Sequence, residues 1–182
     1  NAASILPSSF SFNQNTGLFT WTPICSDQGL YELLFNVTDG IDYDGETINI
    51  QVSDVKPRLE MQNSLSLGST MGINVSYPCN ANKLYILAFS TSDDPPFTLP
   101  NGMVLNLTNN PVLMSSVFFP SYVGLNNSQG ILDKNGNAVV QFTAPNIPVL
   151  AWFDIYFAYV IADPLTQKIL TVSPSKQLIF TP

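Results

Sequence analysis

The chain has 182 residues, 45% of them hydrophobic and only 10% charged, with a net charge of −7. Six Lys plus Arg and no His exclude a phosphate-binding basic surface, the His-activated Ser and Cys nucleophiles and the commonest metal ligand. The polar surface must therefore be built from 18 Asn, 18 Ser and 13 Thr, which with 14 Pro and 10 Gly is the make-up of turn-rich β structure.

Apolar residues recur with period two or in short continuous runs, and helical periodicity is almost absent. In the first part, strands are expected over residues 8–12, 18–21, 30–38 and 46–52. Over the last of these, Ile48, Ile50 and Val52 share one face while Thr47, Asn49 and Gln51 share the other, the pattern of a half-buried strand. Asn15-Thr16-Gly17 and Asp39-Gly40 are turns, where Gly supplies positive φ. Residues 53–57, Ser-Asp-Val-Lys-Pro, read as a linker, and the charge balance changes across it. Residues 1–52 hold six acids and no base, whereas residues 53–182 hold seven acids and six bases. That asymmetry points to two domains with different surfaces.

Beyond the linker, strands are expected over 59–62, 70–77, 84–90, 103–107, 112–118, 130–132, 138–143, 155–162, 169–172 and 177–180. Their spacing, with Gly, Pro and Asn between, is that of an antiparallel sandwich. Asp133-Lys134-Asn135-Gly136-Asn137 reads as a tight hairpin turn, and Asp93-Asp94-Pro95-Pro96 as an exposed loop. The aromatic run from Phe153 to Val160 is too apolar for an edge and is assigned to a central strand buried on both faces.

Residues 6–52 carry a recognisable series: Leu6-Pro7 before Phe10 and Phe12, then Asn15-Thr16-Gly17, Phe19, Trp21 and Pro23, then Asp27, Gly29 and Tyr31, then Val37-Thr38-Asp39-Gly40. This resembles the C-terminal half of a bacterial Ig-like domain of the cadherin-like class, found as tandem repeats in secreted and surface proteins. The resemblance implies that Trp21 fills a core and that Tyr31 forms a tyrosine corner. A complete domain of this kind needs about seven strands, so residues 1–52 correspond to a sandwich lacking its first strands. Residues 58–182 are similar, more loosely, to a β-rich module of large bacterial extracellular proteins. Gly68-Ser69-Thr70, the turn from Leu132 to Gly136, Phe142 before Pro145, and Asp163-Pro164 carry that likeness. The fold expected is thus all-β: two tandem antiparallel β-sandwich, Ig-like domains, the first incomplete, over residues 1–52 and 58–182 with a linker at 53–57.

Few residues invite chemistry. Asp39, Asp42, Asp44 and Glu46 form the tightest acidic cluster and are a candidate calcium site, with a solvated turn as the alternative. Asp93 and Asp94 could pair as acid and base, but a loop tip before two prolines is the simpler reading, and no catalytic residue is assigned. Cys25 and Cys79 lie near expected strand ends; an interdomain disulfide, two free thiols or bonds to other chains are all open. Asn36, Asn74, Asn106 and Asn126 head N-x-Ser/Thr sequons and are candidate glycosylation sites. Trp21, Trp152, Tyr122, Tyr156 and Tyr159 could make a sugar-stacking platform, or could be core.

The first residue is Asn1 rather than Met, which is read as a mature chain with its signal removed or as a fragment. No apolar run approaches the ~20 residues that span a bilayer, so neither membrane insertion nor nucleic-acid binding is expected. Low charge and abundant Asn, Ser and Thr suit a secreted or cell-surface location. The function expected is that of a non-enzymatic structural subunit or repeat of an extracellular fibre, surface layer or adhesin. Its partners would be copies of itself or neighbouring domains, joined by strand donation, with residues 177–180 as the donor to test first. The alternative is an accessory glycan-binding or spacer module of a secreted enzyme.

Overall fold

The computed structural model describes residues 10–182. The protein is mostly β with one short helix, its strands gathered in several mainly antiparallel sheets. The chain divides into two compact units, residues 1–55 and 56–182. The expected strand at 8–12 begins in residues that lie outside the described part; its described portion starts at Phe10.

The first unit consists of two hairpins. Strand β1 (Phe10–Asn13) pairs with β2 (Leu18–Trp21), and β3 (Gly29–Thr38) pairs with β4 (Tyr43–Val52) along all ten residues. The turns are where Gly17 and Gly40 put them. Asn13 Oδ1 accepts from the N–H groups of Asn15 and Thr16, and Asp39 Oδ1 from those of Ile41 and Asp42. Side-chain oxygens that satisfy turn donors in this way favour turns over continued strand. The core is thin. Leu33, at 5% exposure, is the buried hydrophobic residue of this unit among the described residues. Tyr31 departs from the tyrosine-corner expectation: its ring lies edge-on to Trp21 at 4.7 Å, so it ties two hairpins by packing rather than a strand end by its hydroxyl.

The second unit holds β5 (Arg58–Glu60), β6 (Ser64–Ser66), β7 (Thr70–Ser76), β8 (Leu84–Ser90), β9 (Phe97–Thr98), β10 (Val104–Leu105), α1 (Pro111–Phe118), β11 (Leu125–Asn126), β12 (Gln129–Ile131), β13 (Asn137–Thr143), β14 (Asp154–Ala162), β15 (Ile169–Val172) and β16 (Lys176–Thr181). A four-stranded sheet runs β11-β13-β7-β5. A six-stranded sheet runs β12-β8-β14-β16-β6, with β15 also on β14. Pairing is antiparallel except between β16 and β6. Alternate residues from both sheets form the main core. Met71, Ile73 and Val75 of β7 and Val140 and Phe142 of β13 meet Leu87 and Phe89 of β8 and Phe157 and Tyr159 of β14. Phe142 sits at the centre, its ring 5.2 Å from Phe157 and 5.5 Å from Phe89.

The assignment of β14 as a central strand buried on both faces holds. Ile155, Phe157, Tyr159 and Ile161 enter the main core, while Ala158 belongs to a second cluster with Ala88, Leu105, Leu107 and Leu113. That second cluster lies where α1 and the β9–β10 hairpin cover the other face of the six-stranded sheet. The fully buried Tyr159 hydroxyl reaches the carbonyls of Ser76 at 2.9 Å and Arg58 at 3.2 Å, joining β14 to the opposite sheet.

Three expectations are corrected. Residues 112–118 are a helix, not a strand. Asn110 accepts from the N–H of Leu113 at 2.9 Å and Pro111 occupies the first turn, a start signal that overrides an apolar, β-compatible run. The turn at Asp133–Asn137 forms, with Gly136 at φ +76° and Asp133 Oδ1 accepting from the N–H groups of Asn135 and Asn137. Its arms, however, do not pair as a hairpin, because β12 joins the six-stranded sheet and β13 the four-stranded one. Finally, residues 177–180 cannot be donated. They lie in β16, hydrogen-bonded between β14 and β6, with Leu178 and Phe180 in the core.

Candidate functional site

The open side of the first unit is its most unusual feature. The β1–β2 hairpin packs over the inward row of β3: Trp21 on Tyr31, and Phe12 and Phe19 on Phe35 at 5.6 and 5.8 Å. The matching row of β4 is only partly covered: Ile48 is 44% exposed, and Ile50 and Val52 are half-buried. Between them runs a groove of about 880 Å³, walled by Phe12, Phe19 and Phe35 on one side and by Asp44, Glu46, Ile48 and Ile50 of β4 on the other. The β3–β4 ribbon is a two-stranded sheet among the described residues. The outer edge of each ten-residue strand therefore presents backbone N–H and C=O groups with no ladder partner. Such an edge templates another strand.

The acidic cluster does not gather into a metal site. Among the described residues no three His, Cys, Asp or Glu side chains come together as a metal would need. Asp39 is committed to the β3–β4 turn, and the backbone N–H groups of Asp42 and Ile41 hold its carboxyl below the usual carboxylate range. Asp44 and Glu46 line the groove, and Asp44 also borders a smaller hollow beside the turn together with Asp39 and Asp42.

Both Cys25 and Cys79 are disulfide-bonded. Asn36, Asn74, Asn106 and Asn126 are all exposed. The five aromatic residues do not make one platform. Tyr159 is fully buried, Tyr156 is half-buried with its hydroxyl donating to Asp154, and Trp21 packs on Tyr31, whereas Tyr122 and Trp152 are 92% and 70% exposed. Asp93 accepts from the Ser175 hydroxyl at 3.1 Å, whereas Asp94 meets the Ser92 hydroxyl through its backbone N–H and C=O.

The second unit has its own cleft of about 860 Å³, floored by Phe89, Phe142, Ile155 and Phe180 and rimmed by Tyr122, Asn126 and Phe153. Its lining contains no charged side chain. Neither hollow is assigned in the sequence reading. The alternation of Phe10, Phe12, Phe19 and Phe35 signals an inward aromatic row, but not which strand that row leaves bare.

No protein-family model matches the chain, and no curated protein matches it in sequence. Among solved structures, the fold is similar to the crystal structure of the CupB2 chaperone of Pseudomonas aeruginosa. The two share 12% identity with a TM-score of 0.42, over 68% of this chain and 54% of that one. The chain spans about half the length of that protein.

Proposed function

We propose that this chain is a non-enzymatic structural module of an extracellular assembly, a subunit or repeat of a fibre, surface layer or adhesin. In this reading its first unit is an Ig-like sandwich open on one side, closed in the assembly by strand addition from another polypeptide. The observation that carries the proposal is the β3–β4 ribbon: ten paired residues on each strand, two edges without a ladder partner among the described residues, and an apolar inward row left half bare. An isolated two-stranded ribbon is marginal in water, so stable order here calls for added strands. Disulfide-bonded cysteines favour an oxidising compartment. Pairing of Cys25 with Cys79, the two cysteines of the sequence, is part of the proposal, and so is glycan attachment at the four exposed sequons.

Hydrogen–deuterium exchange on the 182-residue protein, run as monomer and as assembly, tests this directly. Residues 29–52 are expected to exchange quickly in the monomer and to gain protection on assembly, while β7, β8 and β14 stay protected throughout. Residues 29–52 as protected in the monomer as β14 would overturn the proposal. Non-reducing peptide mapping tests the disulfide: one peptide linking residues 25 and 79 is expected, and two alkylatable thiols would refute it.

A further inference from the structure

We infer that the groove of the first unit receives an extended strand of a partner polypeptide along the free edge of β4, with apolar side chains opposite Ile48 and Ile50 and Lys or Arg opposite Asp44 and Glu46. The inference rests on the strand-addition reading and specifies the partner.

The inward row of β4 runs Asp44, Glu46, Ile48, Ile50, Val52. Residues directly opposite on an added strand share its face, with Cβ atoms about 4.5–5.5 Å apart. The incoming strand therefore reads the row position by position. Two carboxylates beside an aliphatic pair, in a unit whose residues 1–52 hold no base, call for cations at one end of the strand and apolar residues at the other. Inward-facing charge on an edge also rejects strands that cannot match it, so the same two residues that select a basic strand turn away neutral or acidic ones.

A second copy does not meet this requirement. If two β4 edges met about a two-fold axis, each inward carboxylate would face Ile48, Ile50, Val52 or another carboxylate, whatever the register. The regular strands of the second unit already bury their apolar rows in their own sandwich: Leu87 and Phe89, Phe157 and Tyr159, Leu178 and Phe180. The occupant we infer is thus a segment other than the described strands of this chain, alternating in polarity and basic toward one end.

The test uses a fluorescein-labelled, end-blocked peptide, Ile-Thr-Val-Thr-Lys-Thr-Lys, and its counterpart with both Lys changed to Glu, each titrated into the 182-residue protein. Binding is read by anisotropy and mapped by amide NMR shifts. The basic peptide is expected to bind about tenfold more tightly at low salt, to shift the amides of residues 44–52, and to lose most of that advantage in 0.5 M salt. The double variant Asp44→Lys, Glu46→Lys, at two exposed positions, is expected to reverse the preference. Equal affinity for the two peptides, shifts confined to β3 or the second unit, or self-association that the peptide does not compete with would each overturn the inference. So would failure of either peptide to bind when exchange still shows residues 29–52 gaining protection on assembly; in that case strand addition stands and the basic strand does not. Protection of residues 29–52 in the monomer is the separate result that removes the underlying reading.

Discussion

Ser116→Ala tests how the second unit closes the backbone of β8. Ser116 is fully buried on α1. Its hydroxyl oxygen accepts from the Phe89 N–H at 3.1 Å, and its proton lies between the carbonyls of Leu113 at 2.8 Å and Phe89 at 3.1 Å. Phe89 sits opposite Phe157 of β14, and β12 pairs with β8 only as far as Ile86. The serine therefore stands in for a neighbouring strand at Phe89. Alanine removes it and leaves a buried N–H without a partner, which costs about 1–3 kcal/mol. Better helix propensity returns about 0.5 kcal/mol, so the net loss is about 1.5 kcal/mol. For a unit spanning residues 56–182, that corresponds to a fall in Tm of about 6 °C. Circular-dichroism melts and urea titrations of the variant beside Ser115→Ala, its half-buried neighbour, give the readout. A Ser116→Ala loss below 0.5 kcal/mol would show that water or a shift of α1 satisfies Phe89, and the strand-substitute argument would fail.

Tyr159→Phe is expected to cost about 1–2 kcal/mol, because the carbonyls of Ser76 and Arg58 lose a buried donor; an unchanged urea midpoint would refute the cross-sheet tie. Burial raises the Tyr159 phenol above its ordinary value, so the folded state keeps a proton that the unfolded chain releases. The resulting stability is complete below about pH 10 and is lost as pH rises above it, and the phenylalanine variant should show a shallower alkaline decline. Asp163 behaves in the opposite sense. A hydrogen bond from Lys83 at 2.7 Å, then the N–H groups of Thr166 and Leu165, hold its carboxyl well below the usual range, so its contribution is present above about pH 4 and lost as pH falls. Asp163→Asn should flatten the acid limb of a pH–stability curve; an identical acid limb would count against it. Gly136→Ala should destabilise the second unit, because at φ +76° its Cβ would stand 2.3 Å from the Tyr77 carbonyl oxygen, and a melting temperature equal to wild type would show that the turn relaxes.

Strand identity was legible wherever one face is buried and the other is not. Alternation marks β4 and β7, and a continuous aromatic run marks β14. Two-residue strands such as β9 and β11 hold one side chain per face and carry no period to read. Helix α1 escaped for a different reason. Eight residues are barely two turns, too few for apolar spacing to separate helix from strand, and the deciding contacts, Asn110 to Leu113 and Ser116 to Phe89, are a local cap and a tertiary bond. The turn at Asn135-Gly136 was readable because its hydrogen bonds are local. The sheets its arms join were not, since that is settled by β8 and β7 at distant positions in the chain. The surroundings of the acidic cluster were not legible, because spacing alone does not say which donors a carboxylate meets. Asp39 lies between Thr38 and Gly40 and satisfies two backbone donors of its own turn, a role this residue type takes often.

The groove was the least legible feature, because it arises from what covers what. Both β3 and β4 carry inward apolar residues, and the docking of the β1–β2 hairpin on Tyr31 and Phe35 leaves Ile48 of the β4 row exposed. The two units also treat exposed backbone differently. In the second, Ser116 occupies the N–H and C=O of Phe89 where β12 ends, and Ser173 accepts from the Tyr159 N–H and donates its own N–H to the Tyr159 carbonyl where β15 ends. Each is a side chain placed where a strand runs out. In the first unit the side-chain bonds to the β4 backbone are local ones, Asp44 Oδ1 accepting from the Gly45 N–H at 2.9 Å and the Gln51 amide donating to the Val52 carbonyl at 3.4 Å, and the strand carries Asp44 and Glu46 beside Ile48 and Ile50. Buried serines closing single peptide groups in one unit, beside ten-residue edges flanked by carboxylates in the other, are the contrast on which the proposed strand addition rests.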